Sequence, residues 1–200
     1  MEQNLNLLRQ EIVDKSLQAF REGLFSGTSG NMSCRIAPDE MLITPTSVRY
    51  DVLRARDIVR MKLDGTVLEG ELQPSSEWRM HAAVYEAYGE TNAVFHTHSP
   101  YATAFAVVRE SIPAVLIESR VFLGGDIRCA DYAAPGTKEV GVNAVPALKD
   151  RGGCTLANHG VLAVGKDLAQ AYLRAEYIED VAKVYTFSKV LGTPVELASL

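Results

Sequence analysis

Four histidines occur in the chain, and three of them have settings from which they could share one metal ion. His96 and His98 lie two apart in Val94-Phe95-His96-Thr97-His98. Residues i and i+2 of a strand point to the same face, so both rings can reach one ion at the zinc–imidazole distance of about 2.0–2.1 Å. Taken alone, such a pair is equally well two polar residues on a solvated strand face. His159 shifts that balance. It stands between Asn158 and Gly160, at a break in an apolar stretch with Leu156-Ala157 before it and Val161-Leu162-Ala163-Val164 after it. A single histidine there reads by default as a buried, hydrogen-bonded one. Three together make the open tripod of a catalytic zinc, with one position left for substrate. The fourth, His81, follows Glu77 by four residues and shares its helical face. An E-x-x-x-H pair can also bind metal, but the residues at 82–88 read as core, so His81 is expected to pack behind the site. Glu77 is the acid–base candidate: a carboxylate in the first turn of a helix suits the helix dipole, and beside a divalent cation it can serve as a displaceable ligand or a proton acceptor.

Three short segments add a second kind of chemistry. Gly27-Thr28-Ser29-Gly30-Asn31, Thr44-Pro45-Thr46-Ser47 and Ser75-Ser76 are hydroxyl-rich and punctuated by glycine or proline. Each alone is an ordinary turn. Together they offer backbone N–H groups and a helix start, which is how a phosphate dianion is cradled without a lysine or arginine.

These residues need a scaffold, and the apolar spacing supplies one. Leu5, Leu8, Ile12, Leu17, Phe20 and Leu24 recur at helical intervals, predicting an opening helix that closes near Gly23. Short strands are expected over 32–36 and 41–44, and a hairpin over 58–63 and 66–69 about Asp64-Gly65. A helix with a serine N-cap is expected from Pro74 to about Tyr88, a strand over 93–98, and a helix from Pro100. Then follow a strand over 127–132, a helix over 137–149, a pair of strands over 154–164 broken at Asn158-His159-Gly160, and a long helix over 168–191. Hairpins exclude an all-parallel sheet. The expected architecture is α/β, a mixed and largely antiparallel sheet between helices, in one domain spanning residues 1–200. No dinucleotide fingerprint or phosphate-binding P-loop motif is present.

Composition narrows the partners. A hydrophobic content of 47 % supports a sizeable core, and a formal charge of −5 argues against nucleic acid or an anionic membrane as partner. Cys34, Cys129 and Cys154 are odd in number and far apart, which fits buried apolar residues and no disulfide framework. The amino-terminal segment lacks the apolar core of a signal peptide, and no apolar run approaches membrane-spanning length, so a cytoplasmic location is expected.

The segments GLFSGTSGNMS, MLITPTSVRYDVL, GELQPSSEWRMHAAVYEAYGETNAVFHTHS and TLANHGVLAVG, in this order and spacing, resemble the class II aldolase/adducin family, most closely its L-fuculose-phosphate aldolase branch. The resemblance runs nearly end to end, and the combination is specific although no single piece is. It implies a three-layer α/β/α sandwich and a homotetramer with sites between subunits. It further implies one Zn²⁺ per subunit on Glu77, His96, His98 and His159, with Glu77 also the general acid/base. Gly30, Asn31, Thr46, Ser47, Ser75 and Ser76 fall on the phosphate-binding positions. The implied activity is retro-aldol cleavage of a ketose 1-phosphate to dihydroxyacetone phosphate and an aldehyde. A metal-bound enediolate stores the charge, so no Schiff-base lysine is needed.

Three departures bear on the aldehyde half. The branch's tyrosine proton donor would fall at Ile117, and the next residue, Glu118, is the substitute acid expected here; an ion pair with Arg120 or Arg128 is its alternative. Threonine-glycine of the second phosphate segment is Thr46-Ser47, and the chain ends soon after the last helix, so an aromatic tail reaching the site is not expected. Sugar-phosphate epimerases and phospho-keto-acid decarboxylases of the same family are the rival activities, the epimerases carrying aspartate in place of Glu77. A non-catalytic adducin-like assembly domain is the rival class, although such relatives lose the histidines.

Overall fold

The computed structural model describes residues 2–198. Several of its strands are apolar on both faces, and that decides the architecture. Along β5 (Ala93–Thr97), Ala93 and Phe95 enter one core and Val94 the other. The same alternation runs through Met41, Leu42 and Ile43 and through Val161, Leu162, Ala163 and Val164. A sheet of this kind must be covered on both sides.

Eight strands form it: β1 (Asn31–Ala37), β2 (Glu40–Ile43), β3 (Val59–Lys62), β4 (Val67–Glu69), β5, β6 (Cys129–Ala130), β7 (Gly153–Leu156) and β8 (Gly160–Gly165). Their spatial order is β4-β3-β2-β1-β5-β8-β7-β6. Neighbours are antiparallel except β6 and β7, which run parallel. The helices are α1 (Glu2–Glu22), α2 (Trp78–Ala87), α3 (Pro100–Val108), the short α4 (Ile117–Val121), α5 (Lys138–Ala147) and α6 (Leu168–Leu191). Buried residues of α1, α3 and α6 share a core with Phe95, and those of α2 and α5 share the opposite core with Val94. The mixed, largely antiparallel sheet between two helical layers is the expected one.

Two local expectations are corrected. The helix read from Pro74 begins at Trp78, with Glu77 at its N-cap. Pro74 bridges Pro45 and the Ser75 N–H donates to the Thr44 carbonyl, so this stretch is extended alongside the end of β2 and cannot also be helical. Ser75 still caps a turn, its Oγ accepting the Glu77 N–H at 3.3 Å. The strand read over 127–132 shrinks to Cys129–Ala130. Ile127 pairs instead with Ile112, and Asn143 Nδ2 donates to the Asp131 and Tyr132 carbonyls. Cys34 and Cys154 are buried as expected, while Cys129 is half-buried.

Phe95 links β5 to the loop that precedes β1. Its ring stacks on Phe25 at 4.9 Å between centroids and meets Tyr172 of α6 at 5.4 Å; Phe25 in turn meets Tyr50 at 4.5 Å. Truncating a fully buried aromatic leaves a cavity on top of the lost transfer energy. Phe95→Ala is therefore expected to lose about 3–5 kcal/mol of stability, seen as a lower urea midpoint with an unchanged slope.

Candidate metal centre

Strand alternation turns His96 to the same side of the sheet as Val94, toward α2, and Asn31 is its register partner across β1 and β5. His98 follows directly after β5. His159 sits in the turn that joins β7 to β8, closed by the Leu156–Gly160 pair. Asn158 there takes the left-handed conformation with φ of 54°, which asparagine tolerates better than most residues. Glu77, at the start of α2, comes from the covering layer.

The four side chains converge. His96 Nε2 lies 3.0 Å from His98 Nε2 and 3.0 Å from Glu77 Oε2, and His159 Nε2 lies 3.1 Å from Glu77 Oε1. One ligand atom from each of Glu77, His96, His98 and His159 falls within a mutual 4.8 Å. The donor pattern suits a cation. His96 Nδ1 lies 2.8 Å from the Val161 carbonyl, which only accepts, so Nδ1 carries the hydrogen. In the neutral ring Nε2 then presents a lone pair, and it faces a carboxylate oxygen. A bound cation brings two such acceptors together without repulsion. Glu77 Oε1 and His159 Nδ1 are moreover buried without a hydrogen-bond partner. Three imidazole nitrogens and one carboxylate oxygen match a zinc-class ion better than calcium or magnesium, which prefer oxygen throughout.

Electrostatics agree. Burial, with His96 and His159 adding to it, pushes the His98 ring down to about 4. Burial by itself would raise the Glu77 carboxyl, but positive charge on the adjoining His96 and His159 rings reverses the sign and holds it below the usual carboxylate range, an effect a bound cation would supply once those rings are neutral. A neutral His98 ring and an ionised carboxylate are the forms that bind metal.

Above the cluster opens a cavity of about 360 Å³. Gly30, Asn31, Thr46, Ser47, Ser75 and Ser76 all line it, together with Glu77, His98 and His159. The Thr46 N–H donates to the Gln73 carbonyl and the Ser75 N–H to the Thr44 carbonyl, which brings two of the hydroxyl-rich segments side by side. Ser47 has a φ of 60°, a conformation natural to the glycine it replaces in the family pattern. Gly30 has a φ of 90°, and a Cβ there would collide with the Phe25 ring and approach the His96 carbonyl to 2.9 Å. Pro135, in the connection from β6 to α5, also lines the cavity and was not foreseen; its only signal was the Pro135-Gly136 turn dipeptide. A larger cavity of about 590 Å³ near Arg35 and Lys166 lies apart from this cluster.

His81 packs behind the site as expected. It is fully buried, and burial holds its ring down to about 3. Its Nε2 meets Asn31 Oδ1 at 2.5 Å, while Asn31 Nδ2 donates to Glu77 Oε2 at 3.0 Å. The Asn31 amide is thus largely committed inside the protein, with one Nδ2 hydrogen left for a ligand. Glu118 is half-buried on α4 and is not part of the cavity lining of its own chain. Among the described residues neither arginine pairs with it: Arg120 meets Glu196, and Arg128 meets Asp126.

A mixed sheet that sets three imidazoles at strand ends against a carboxylate on a covering helix makes a candidate metal site in an α/β fold. The chain belongs to the class II aldolase and adducin family: the family model "Class II Aldolase and Adducin N-terminal domain" matches residues 10–186. It is 39% identical over 194 residues to the L-fuculose phosphate aldolase of Escherichia coli (strain K12), covering 97% of this chain and 89% of that protein. It is also 39% identical over 189 residues to the 5-deoxy-D-ribulose 1-phosphate aldolase of Bacillus thuringiensis serovar kurstaki, covering 93% of this chain and 87% of that one. A solved L-fuculose 1-phosphate aldolase superimposes with a TM-score of 0.91 at 38% identity, over 96% of this chain and 90% of that one. The chain is a lyase of the class II aldolase kind. Among the described residues no helix is long and apolar enough to cross a membrane.

The centre is expected to hold about one zinc-class ion per chain, and His98→Ala to lose it while keeping its fold. Gly160 offers a subtler probe. A Cβ there would collide with the Thr97 carbonyl and approach His98 Cδ2 to 3.1 Å and His96 Cε1 to 3.2 Å. Gly160→Ala is expected to spread the ligands and lower metal content, measured by elemental analysis, at near-native circular dichroism.

Proposed function

We propose that the chain is a zinc-dependent aldolase that cleaves a ketose 1-phosphate to dihydroxyacetone phosphate and a short aldehyde. The observation that carries this reading is the cluster of Glu77, His96, His98 and His159 at the floor of a cavity rimmed by the hydroxyl-rich segments. When bound, Zn²⁺ supplies stabilisation for the negative charge that develops as the carbon–carbon bond breaks. The chain's own residues do the rest. Gly30, Asn31, Thr46, Ser47, Ser75 and Ser76 hold the phosphate and so set which bond lies over the metal ligands. Glu77 exchanges the proton at the carbon from which the aldehyde departs.

The aldehyde half is read from the relatives. One acts on L-fuculose phosphate and the other on 5-deoxy-D-ribulose 1-phosphate. Both sugars end in a methyl group, and an ω-deoxy ketose 1-phosphate is the substrate class proposed here. The work is done by one domain spanning the chain, in the cytoplasm, within a homotetramer whose sites lie between subunits.

Glu118 is proposed as the base that takes the proton from the hydroxyl of the departing aldehyde, reaching the cavity of a neighbouring subunit. Its place supports this: it stands on α4 between Ile117 and Val121, which are 50% and 57% exposed and offer an apolar surface for a subunit contact. A carboxylate is already ionised at neutral pH, whereas a tyrosine with its reference pKa of about 10 would need activation.

A screen of ketose 1-phosphates should release dihydroxyacetone phosphate, with ω-deoxy sugars cleaved fastest. Turnover without that product would point to an epimerase or a decarboxylase instead. Ser76→Ala should raise KM for phosphorylated substrate by the equivalent of about 1–3 kcal/mol; equal use of the unphosphorylated sugar would remove the phosphate assignment. Glu118→Gln should slow cleavage strongly and leave zinc content and proton exchange into dihydroxyacetone phosphate nearly unchanged. Normal cleavage by that variant would end its proposed role.

A further inference from the structure

Behind the metal ligands, β1 and α2 face each other with polar groups at matched periods. Asn31 and Ser33 are two apart on the strand; Glu77, His81 and Tyr85 are four apart along the helix and its cap. Each set therefore lies on one face, and the two interdigitate. Glu77 Oε2 meets Asn31 Nδ2 at 3.0 Å, Asn31 Oδ1 meets His81 Nε2 at 2.5 Å, His81 Nδ1 meets Ser33 Oγ at 2.6 Å, and Ser33 Oγ meets Tyr85 Oη at 2.7 Å. Ser33 and His81 are 0% exposed, Tyr85 1%, Asn31 4% and Glu77 7%, so water cannot stand in for a missing partner.

The direction of every bond follows from one end. A carboxylate that ligates a cation only accepts, so the Asn31 NH₂ faces Glu77 and its oxygen faces His81. His81 must then donate from Nε2. In the neutral ring Nδ1 accepts, which takes the Ser33 hydroxyl hydrogen, and the Ser33 oxygen accepts from Tyr85. Reversing one member would set two donors or two acceptors face to face in a site closed to water, a costly arrangement.

We propose that Tyr85, Ser33, His81 and Asn31 form a one-way hydrogen-bond chain that positions the Glu77 carboxylate, with His81 held as its Nε2–H tautomer. The chain pins Oε2. It leaves Oε1, which meets only His159 Nε2 at 3.1 Å and is outside the hydrogen-bond chain, as the oxygen that exchanges protons with substrate. Because the chain ends at a buried tyrosine, it holds the carboxylate rather than conducting a proton to solvent. These four are positioning residues, and the assignment of Oε1 rests on the reading of Glu77 as the acid–base group.

Nitrogen-15 NMR of the zinc-loaded protein tests the tautomer directly, since the chain has only four histidines to resolve. His81 should show a protonated Nε2 and an unprotonated Nδ1; the opposite tautomer, or an imidazolium, would overturn the proposal. The kinetic arm follows proton exchange into dihydroxyacetone phosphate. Ser33→Ala removes the donor that imposes the tautomer and should lower kcat for exchange about ten-fold, with a smaller change in KM and full zinc content. Tyr85→Phe, one step further from Glu77, should lose less. Equal losses in the two variants, or losses that only follow their melting temperatures, would count against positioning. If the wild-type protein exchanges no proton at all, the aldolase reading fails, and the His81 tautomer alone decides the hydrogen-bond chain.

Discussion

The hydrogen bond from His96 Nδ1 to the Val161 carbonyl is the constraint on which the site depends. It spends one ring nitrogen on the backbone of the neighbouring strand and so commits the other to the cluster of Glu77 and His98 as a lone pair. That bond exists because β5 pairs with β8 in the register that sets Thr97 opposite Val161 and His96 opposite Leu162. A slip of one residue would turn His96 into the opposite core and Phe95 toward the candidate metal ligands. The apolar alternation of β5 and β8 thus protects the ligand geometry as well as the fold, since the slip would bury imidazole where Phe95 now stacks on Phe25 and Tyr172.

The two faces of the sheet divide the labour. On the side of α1, α3 and α6 the strands carry apolar side chains that bind the layers together. On the side of α2 the strand β1 is polar, presenting Asn31, Ser33 and Arg35. Arg35 stacks over the Tyr85 ring and donates to its carbonyl, closing the far end of the polar ladder. Such a ladder contributes little net stability compared with apolar packing, because each buried group first loses its water. Its return is orientation. Every member is hydrogen-bonded, and the carboxylate at the near end meets the three imidazoles in one pose.

The rim of the cavity is assembled differently, from turns rather than from regular elements. Its members are held by backbone bonds between segments 44–46 and 73–75, by a left-handed Ser47 and by a Gly30 that has no room for a side chain. Loops positioned by a rigid sheet are the usual place for ligand-binding groups. Here the rigid parts are the end of β2, the start of α2 and the aromatic stack beneath Phe25.

Much of this was legible in the residues themselves. Alternation in 93–98 and 154–164, the helical period of 168–191 and the Asp64-Gly65 turn are local signals, written within a few residues of the elements they specify. The strand-end setting of His96, His98 and His159 is equally local, and so is the face shared by Glu77 and His81. Long-range pairing was not legible. Nothing near Pro74 says that it bridges Pro45, so the helix was read as starting four residues early. Nor does anything near Ile127 say that it pairs with Ile112, which ends the strand expected over 127–132 at its start. The double commitment of Asn31, to Glu77 and to His81, depends on β1 and α2 packing face to face across 46 and 50 residues of chain. The sequence by itself determined which side chains could bind metal and phosphate, because residue type and short-range period carry that chemistry. Only the tertiary structure decided which nitrogen of each ring faces the candidate metal cluster and which oxygen of Glu77 is pinned, because hydrogen-bond direction is set by partners that are distant in sequence.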